Sequence, residues 1–291
     1  MCYLFIKVTE RSVTNNIVNS ILESQQNWVN MIHLISVGES MKNKQHRELA
    51  VCGLEAVRAL AEHHPEKIQR LFFSENRSSH FGATCKLLAA SRKVYRAVEK
   101  EIELEKLSQS VHHQGVVAMI TEPEIPLLDL ETLSLWQKTK EKVLVLDRVG
   151  NSNNLGAIIR SAAFFGISHI VISDDDEQAR ITTSAYRVAQ GGMEFVDIRR
   201  VPSAAWLIKT AVNTMTCIGA DHRAKDTLSD IKKLASAEKG LLIVLGNEES
   251  GLSQEVKDSC HHLVRIPGTG QIESLNVAQA STLFVYELSL L

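Results

Sequence analysis

The sequence predicts an α/β protein in two parts, a small α/β unit followed by a larger one built on a parallel sheet. Three observations lead there. Short apolar strands alternate with helical patterns along most of the 291 residues. The strands of the second half, Leu241-Leu242-Ile243-Val244-Leu245 above all, are continuously apolar, as parallel strands covered on both faces are. The stretch from Thr121 to Lys140, holding Pro123 and Pro126 among mixed polar residues, separates the two halves as a linker.

Taken in chain order, Ile17, Ile21, Trp28 and Ile32 lie at loosely helical spacing and mark residues 1–35 as an N-terminal extension. A first unit, 36–122, opens with an amphipathic helix from Val51 to His63, read from Val51, Leu54, Val57 and Ala61. A strand at Ile68–Phe73, a helix over Gly82–Ala90 and strands at Val94–Val98 and Gly115–Ile120 follow. The linker spans 123–140. The second unit, 141–291, carries predicted strands at Val143–Leu146, His169–Ile172, Met215–Ile218, Leu241–Leu245 and His262–Ile266. Helices are predicted after Asn154, after Pro202 and from Asn276 to Leu288, the last because Val277, Ala280, Phe284 and Leu288 share one face.

Composition narrows the function classes. At 44% hydrophobic and 23% charged, with 5 prolines and 15 glycines, the chain has the make-up of a globular protein, not a fibrous or disordered one. No apolar run approaches the ~18 residues of a membrane helix. The opening Tyr3-Leu4-Phe5-Ile6 cluster is too short for a signal-peptide core. A cytoplasmic protein with no membrane attachment is expected. Cys2, Cys52, Cys85, Cys217 and Cys260 form no C-x-x-C pair, which predicts reduced thiols and no metal site. The net charge is −2, but its distribution is uneven. From Ser36 to Glu122 there are 13 Lys+Arg against 11 Asp+Glu; from Glu141 onward there are 15 against 18. The first unit is therefore the half expected to meet phosphates.

Three segments carry the candidate chemistry, and each follows a predicted strand, where open α/β sheets bind ligands. In Asn151-Ser152-Asn153-Asn154-Leu155-Gly156-Ala157-Ile158-Ile159-Arg160-Ser161, an Asn-rich turn opens a helix bearing an arginine suited to a phosphate. Gly246-Asn247-Glu248-Glu249-Ser250-Gly251-Leu252 has the glycine spacing of a phosphate loop. It lacks the Gly-Lys-Ser/Thr of a nucleotide-hydrolysing site, and its adjacent carboxylates would repel a triphosphate. No G-x-G-x-x-G follows any strand, so the usual dinucleotide fingerprint is missing as well. The third segment, Ile266-Pro267-Gly268-Thr269-Gly270-Gln271-Ile272-Glu273-Ser274-Leu275-Asn276, is a glycine-rich loop ending in polar residues at a helix start. Singly, each has a bland reading as a capped helix or a turn.

In this order, the three resemble the signature motifs of the SpoU (TrmH) family of RNA 2′-O-ribose methyltransferases. The matching residues are Asn154, Gly156, Arg160 and Ser161 in the first motif, and Leu245, Gly246, Glu248, Gly251 and Leu252 in the second. Ile266, Pro267, Gly270, Ser274, Leu275, Asn276 and Val277 make the third. The first unit is similar to the family's small substrate-binding domain, down to His112-His113-Gln114-Gly115 at its end. The sequence departs from the family at Gly268, where Met is usual, and at Ala278, where Ser is common. It departs again at Gly150-Asn151-Ser152-Asn153, which replaces an Asp-Pro-containing stretch.

The resemblance implies a C-terminal α/β trefoil-knot (SPOUT) methyltransferase domain after a small α/β (L30e-like) RNA-binding domain, paired as a homodimer through the knots. It implies S-adenosylmethionine as cofactor, held by main-chain groups near Leu245, Gly246, Ile266, Gly270 and Leu275. The substrate is then the ribose 2′-hydroxyl of rRNA or tRNA, with rRNA favoured by the added domain. Arg160 is expected to bind the RNA phosphate beside the target and to stabilise charge on the 2′-oxygen. Asn154 would position that group or the ribose, Glu248 would orient them or receive the proton, and Ser274 and Asn276 would hydrogen-bond around the reacting centre. Lys42, Lys44, Arg47, Arg92, Lys93 and Arg96 are the expected phosphate contacts of the first unit, while His112 and His113 read more readily as structural. The alternative is an RNA-binding or ribosome-assembly protein that keeps the fold with weakened catalysis.

Overall fold

A computed structural model describes residues 48–291. The expected extension 1–35, and Lys42, Lys44 and Arg47, lie outside them.

The small unit is a four-stranded sheet with helices packed on it. Its elements are β1 (Glu48–Cys52), α1 (Leu54–His63), β2 (Ile68–Ser74), α2 (Gly82–Ala90), β3 (Val94–Val98), α3 (Ile102–Ser108) and β4 (Val116–Thr121). The strand order is β1-β4-β2-β3, with β4 antiparallel to both neighbours and β2 parallel to β3. The predicted helix from Val51 is corrected here. Val51 belongs to β1, paired with Ala118, and the helix begins only after Gly53, whose φ of 96° turns the chain out of the sheet. Two periodicities overlap in this stretch, and the glycine divides them.

The linker expectation also changes. Residues 130–139 form α4 (Leu130–Thr139), capped by Asp129, whose carboxylate accepts from the Thr132 amide at 2.7 Å. Leu128, Leu133 and Trp136 are buried against Val143, Val171 and Ala205. The prolines sit before this helix, so they punctuate its start without marking a free tether.

The second unit continues with β5 (Lys142–Leu146), α5 (Ser152–Phe164), β6 (His169–Ser173), α6 (Thr183–Ala189), β7 (Asp197–Val201), α7 (Ala204–Ala211) and β8 (Met215–Ala220). It ends with β9 (Asp226–Thr227), α8 (Ile231–Leu234), β10 (Gly240–Leu245), α9 (Gln254–Ser259), β11 (His262–Arg265) and α10 (Val277–Ser289). All seven strands are parallel, in the order β7-β6-β5-β10-β8-β11-β9. The chain builds outward from β5 to β7, crosses to β8, then inserts β10 between β5 and β8. Leu241 to Leu245 are all buried, as a central strand covered on both faces requires. The register Leu245↔Leu146 places the loops after β5 and β10 side by side at the carboxyl edge. This is the topological switch point where such sheets gather ligands.

The two units share one apolar core, in which Val57 and Leu60 of α1 join Ile158, Ile159 and Tyr186. A buried carboxylate reinforces the contact. Glu194, whose side chain is 2% exposed, meets His64 Nδ1 at 2.7 Å and Lys67 Nζ at 3.5 Å.

Gly156, a residue of the first motif, has a packing reason. A Cβ there would stand 2.5 Å from the Ala185 carbonyl oxygen and 3.0 Å from Val188 Cβ, so α5 and α6 touch only because the side chain is missing. Gly156→Ala is expected to cost about 1–3 kcal/mol through overpacking. Thermal melts should show Tm falling by about 2–4 °C for each kcal/mol. An unchanged Tm would contradict the contact.

Candidate active site

The site is assembled from loops at the carboxyl ends of β5, β10 and β11. After β5, the chain turns through Arg148 (φ 59°) and is held by the buried Gln178, whose side chain both donates to the Val149 carbonyl and accepts its amide, each at 3.1 Å. Asn151 then caps α5, its Oδ1 accepting the amides of Asn153 and Asn154 at 2.8 and 3.4 Å. After β10, Asn247 and Gly251 exchange two main-chain hydrogen bonds and close a tight turn. The Asn247 side chain accepts from the amides of Glu249 and Ser250 and donates to the Arg148 carbonyl at 2.8 Å. Gly246 is needed by this turn itself, since a Cβ would lie 2.3 Å from the Leu252 nitrogen.

Glu248 projects from that turn onto the start of α5. One carboxylate oxygen accepts the Gly150 amide at 3.1 Å; the other accepts the Asn151 amide at 3.3 Å and the Asn154 side-chain N–H at 2.8 Å. Asn154 Oδ1 in turn accepts from Asn276 Nδ2 at 3.1 Å, and Asn276 Oδ1 caps α10 by accepting the Ala278 amide at 2.9 Å. Three residues from three motifs thus form one chain of hydrogen bonds. Burial pushes the Glu248 carboxyl up, but donation by Asn154 and by main-chain amides, including those of Gly150 and Asn151, outweighs it and holds the group below its ordinary value. Glu248 is an anion fixed by three donors and held below its ordinary value, which favours orientation over proton acceptance.

The family departures fall where this geometry tolerates them. What α10 uses at Ala278 is the main-chain N–H. What Glu248 uses at Gly150 and Asn151 is again two amides, and a proline at either position would remove one. Gly268 touches nothing within 4 Å of where its Cβ would be.

Other expected residues lie outside the hydrogen-bonded chain. Arg160 is on α5, six residues after Asn154, which puts it about 9 Å further along and on another face of the helix. It is exposed, without an ion pair or hydrogen bond among the described residues, and lines cavities beside α1. Ser161, next to it, bonds Thr282 of α10 at 2.8 Å. Ser274 is exposed and makes no hydrogen bond to the chain of Asn154, Glu248 and Asn276. Leu245 is buried at the end of β10, and Ile266 packs against the core. Gly270, with φ 81°, and Leu275, 48% exposed, lie on the open loop before α10.

In the first unit, Lys93 is engaged by the Glu66 and Ile68 carbonyls at 2.9 and 2.6 Å, and Arg96 by Glu103 at 2.7 Å, so these two expected phosphate contacts also have partners within the chain. His113 is buried and its Nδ1 accepts the Gly115 amide at 3.0 Å, the structural role expected, whereas His112 is exposed and lines a cavity. The sequence reading did not single out Asn247, Asn151 or Gln178. The first two carried a usable signal, because asparagine beside a strand end readily closes a turn on its own side chain.

A loop suited to a cofactor recognised by main-chain groups also exists. Among the described residues, no main-chain hydrogen bond engages residues 267–275, and Ile272 beside Leu275 is 80% exposed. Free amides, free carbonyls and apolar side chains are what an adenosine with an apolar face and polar edges requires.

Comparison with known proteins decides the family. Residues 141–286 match the SpoU rRNA Methylase family, and residues 50–126 match the RNA 2′-O ribose methyltransferase substrate binding family. The chain belongs to the SpoU rRNA methylase family. Within it, the chain is 32% identical over 245 residues to the 23S rRNA (guanosine-2′-O-)-methyltransferase RlmB of Coxiella burnetii, covering 82% of this chain and 94% of that protein. It is 33% identical over 244 residues to RlmB of Acinetobacter baylyi, covering 81% and 94%. Among solved structures, the rRNA methyltransferase from Sinorhizobium meliloti has the same fold at a TM-score of 0.65 and 23% identity, over 84% of this chain and 87% of that one. The SpoU methyltransferase AviRb from Streptomyces viridochromogenes, crystallised with AdoMet, matches at 0.62 and 23% over 83% and 89%. The larger unit therefore has the SPOUT fold that the motifs implied, preceded by a separate α/β unit.

The Glu248 network has a pH signature. A carboxyl depressed in the folded state stabilises the fold above its unfolded value, ordinarily 4.5, and loses that contribution as pH falls through the folded value. The stability difference between the parent and Glu248→Gln should be constant above about pH 6 and shrink steadily below pH 4.5. Denaturant midpoints measured from pH 7 to 3 check this; a difference that grows on acidification would contradict it.

Proposed function

We propose that this protein methylates the 2′-hydroxyl of a guanosine ribose in 23S rRNA, using S-adenosylmethionine. The observation that carries the reading is the hydrogen-bonded chain Glu248–Asn154–Asn276 beside a loop whose main-chain groups are free. Relatives named as 23S rRNA guanosine 2′-O-methyltransferases, about 30% identical over most of the chain, support the substrate. The hydroxyl itself is the group that distinguishes RNA from DNA. A site in the cytoplasm follows from an rRNA substrate, and no helix among the described residues is long and apolar enough to cross a membrane.

S-adenosylmethionine supplies an electrophilic methyl group when bound. Main-chain groups of Leu245, Gly246, Ile266, Gly270 and Leu275 would hold it. Asn154 and Asn276, fixed by Glu248, orient the ribose hydroxyl; Ser274 completes their set. Alignment is the main contribution, and well-oriented groups gain several kcal/mol from it. Arg160 binds the phosphate beside the target through its two-pronged guanidinium. Always protonated, it is no base. The unit 48–121 presents the RNA, and the unit from 141 onward carries the chemistry.

The enzyme works as a homodimer. α10 and its cap Leu290 expose Leu283, Tyr286 and Leu290, spaced three and four apart to form one apolar stripe, at 38%, 46% and 59% exposure. Such a stripe on a helix that also carries Asn276 fits a second copy of the chain.

Two measurements test this reading. Incubation with labelled cofactor and 23S rRNA from a strain lacking the gene should give one ribose-methylated guanosine by mass spectrometry. Arg160→Lys should lower turnover about 10- to 100-fold, the worth of a charge-assisted bidentate contact. Near-normal turnover by that variant would remove Arg160 from its assigned role. Light scattering should give a dimer for the parent and a monomer for Tyr286→Glu; a monomeric parent would end the dimer proposal.

A further inference from the structure

Arg160 is not alone in its cavity. α5 and α6 pack at Gly156, and this brings Arg187 of α6 to the same space. A cavity of about 250 Å³ is lined by Arg160, Arg187 and Gln190 from the second unit and by Gly53, His112 and Gln114 from the first. It has room for about eight waters, enough for a phosphodiester with part of its hydration. Arg187, like Arg160, has no ion pair or hydrogen bond to any described residue, yet its stem is placed, since its Cγ lies 3.8 Å from where a Gly53 Cβ would stand. On the facing wall, Gln114 is fixed by accepting the Leu54 amide at 2.8 Å. The one carboxylate on this wall, Glu55, is neutralised by Arg58 at 3.0 Å.

The cavity continues along α1. A neighbouring space of about 350 Å³ shares Glu55, Arg160 and Gln190 with it and ends at His63 and Phe195, whose rings meet at 4.7 Å. From Gly53 to His63 the groove follows ten residues of chain, about 15 Å at helical rise. Its floor exists because Gly191, at φ 93°, has no Cβ to strike Ala59 Cβ at 2.8 Å. Two unpartnered guanidiniums in a groove with a 52%-exposed phenylalanine at its end match the chemistry of a single-stranded polynucleotide, charge for phosphates and a ring for a base.

We infer that the groove between the two units is the track for the RNA strand flanking the target. Arg187 is its positioning residue, holding a phosphodiester next to the one held by Arg160. This rests on reading the chain as an RNA methyltransferase. Arg187 touches neither the reacting atoms nor the Glu248 cluster; it fixes where the strand enters.

The test compares the full-length parent with Arg187→Met, which keeps the stem and loses the charge, and Arg187→Lys, which keeps the charge. Binding of a fluorescein-labelled single-stranded RNA is followed across a salt series, with folding checked by thermal melts. Arg187→Met should weaken binding about tenfold and lower the log–log salt slope by about 0.7, one phosphate contact, while Arg187→Lys retains most of both. In turnover on 23S rRNA, Arg187→Met should raise KM by a similar factor with kcat within about twofold, and leave S-adenosylmethionine affinity unchanged. Parental affinity and slope in Arg187→Met would overturn the proposal, as would equal weakening in both variants with an unchanged slope, which signals packing alone. A parent that binds RNA with this Arg187 dependence but methylates none would instead overturn the assigned reaction and leave the track standing.

Discussion

The carboxylate of Glu248 is the point at which this site is tied together. It receives two amides from the loop after β5 and one side-chain N–H from the first turn of α5, and through Asn154 it reaches the cap of α10. Segments near residues 150, 248 and 276 are joined there. That meeting follows from the sheet: β10 inserts beside β5 in the register Leu245↔Leu146, and the Asp147 amide still bonds the Leu245 carbonyl at 2.8 Å as the strands end. Strand order is thus the cause, and the anion fixed by three donors is its consequence.

The same logic of close approach joins the two units. Gly156 lets α6 lie against α5, and Gly191 lets α1 lie against the turn after α6. Neither glycine touches the site, yet both determine which side chains face the groove. Glu194, buried and met by His64 and Lys67, holds the arrangement with an interaction that loses most if both partners are removed, because a buried carboxylate would be left unpaired. A motif glycine can therefore serve function by packing, one step removed from chemistry.

Much of this was legible in the sequence, and the exceptions have physical reasons. The parallel strands announced themselves because burial on both faces demands unbroken apolar runs, as in Leu241–Leu245. Helix α10 announced itself through its single apolar face and Asn276 as cap. β1 did not, because Val51 fits both a short strand and the helix whose spacing it happens to extend. α4 did not, because two nearby prolines outweighed Leu133 and Trp136 in the reading. Within the site, Asn154, Glu248 and Asn276 were legible as motif residues, but their mutual hydrogen bonds depend on strand order, which no local pattern encodes. Arg187 was illegible for the same reason, since its partner across the cavity, Gln114, is 73 positions earlier in the chain. The partners of Lys93 and Arg96 were illegible too, since Lys93, just before β3, reaches carbonyls of residues 66 and 68, and Arg96 pairs with Glu103 beyond its own strand.

Helix α5 also explains how two opposite electrostatic demands coexist. Methyl transfer needs polar groups held rigidly about a neutral hydroxyl, while RNA binding needs mobile cations for phosphates. The helix separates them along its axis: its amino end, the positive pole of its dipole, faces the Glu248 anion, and Arg160 lies toward its carboxyl end, the negative pole. The Glu248 charge is stabilised by the pole it faces. On the proposed roles, the ~9 Å between Asn154 and Arg160 is a fixed spacing between chemistry and anchorage. Substituting the arginine should loosen the strand without disturbing Glu248. Within this geometry, neither a depressed carboxylate nor a permanently charged guanidinium takes up a proton readily. The ribose oxygen grows more acidic as it acquires its new carbon, so a weak acceptor such as the neighbouring phosphate or solvent suffices. In the proposed reaction the protein's task is to hold the hydroxyl still, and the hydrogen-bonded chain of Glu248, Asn154 and Asn276 has the rigidity for it.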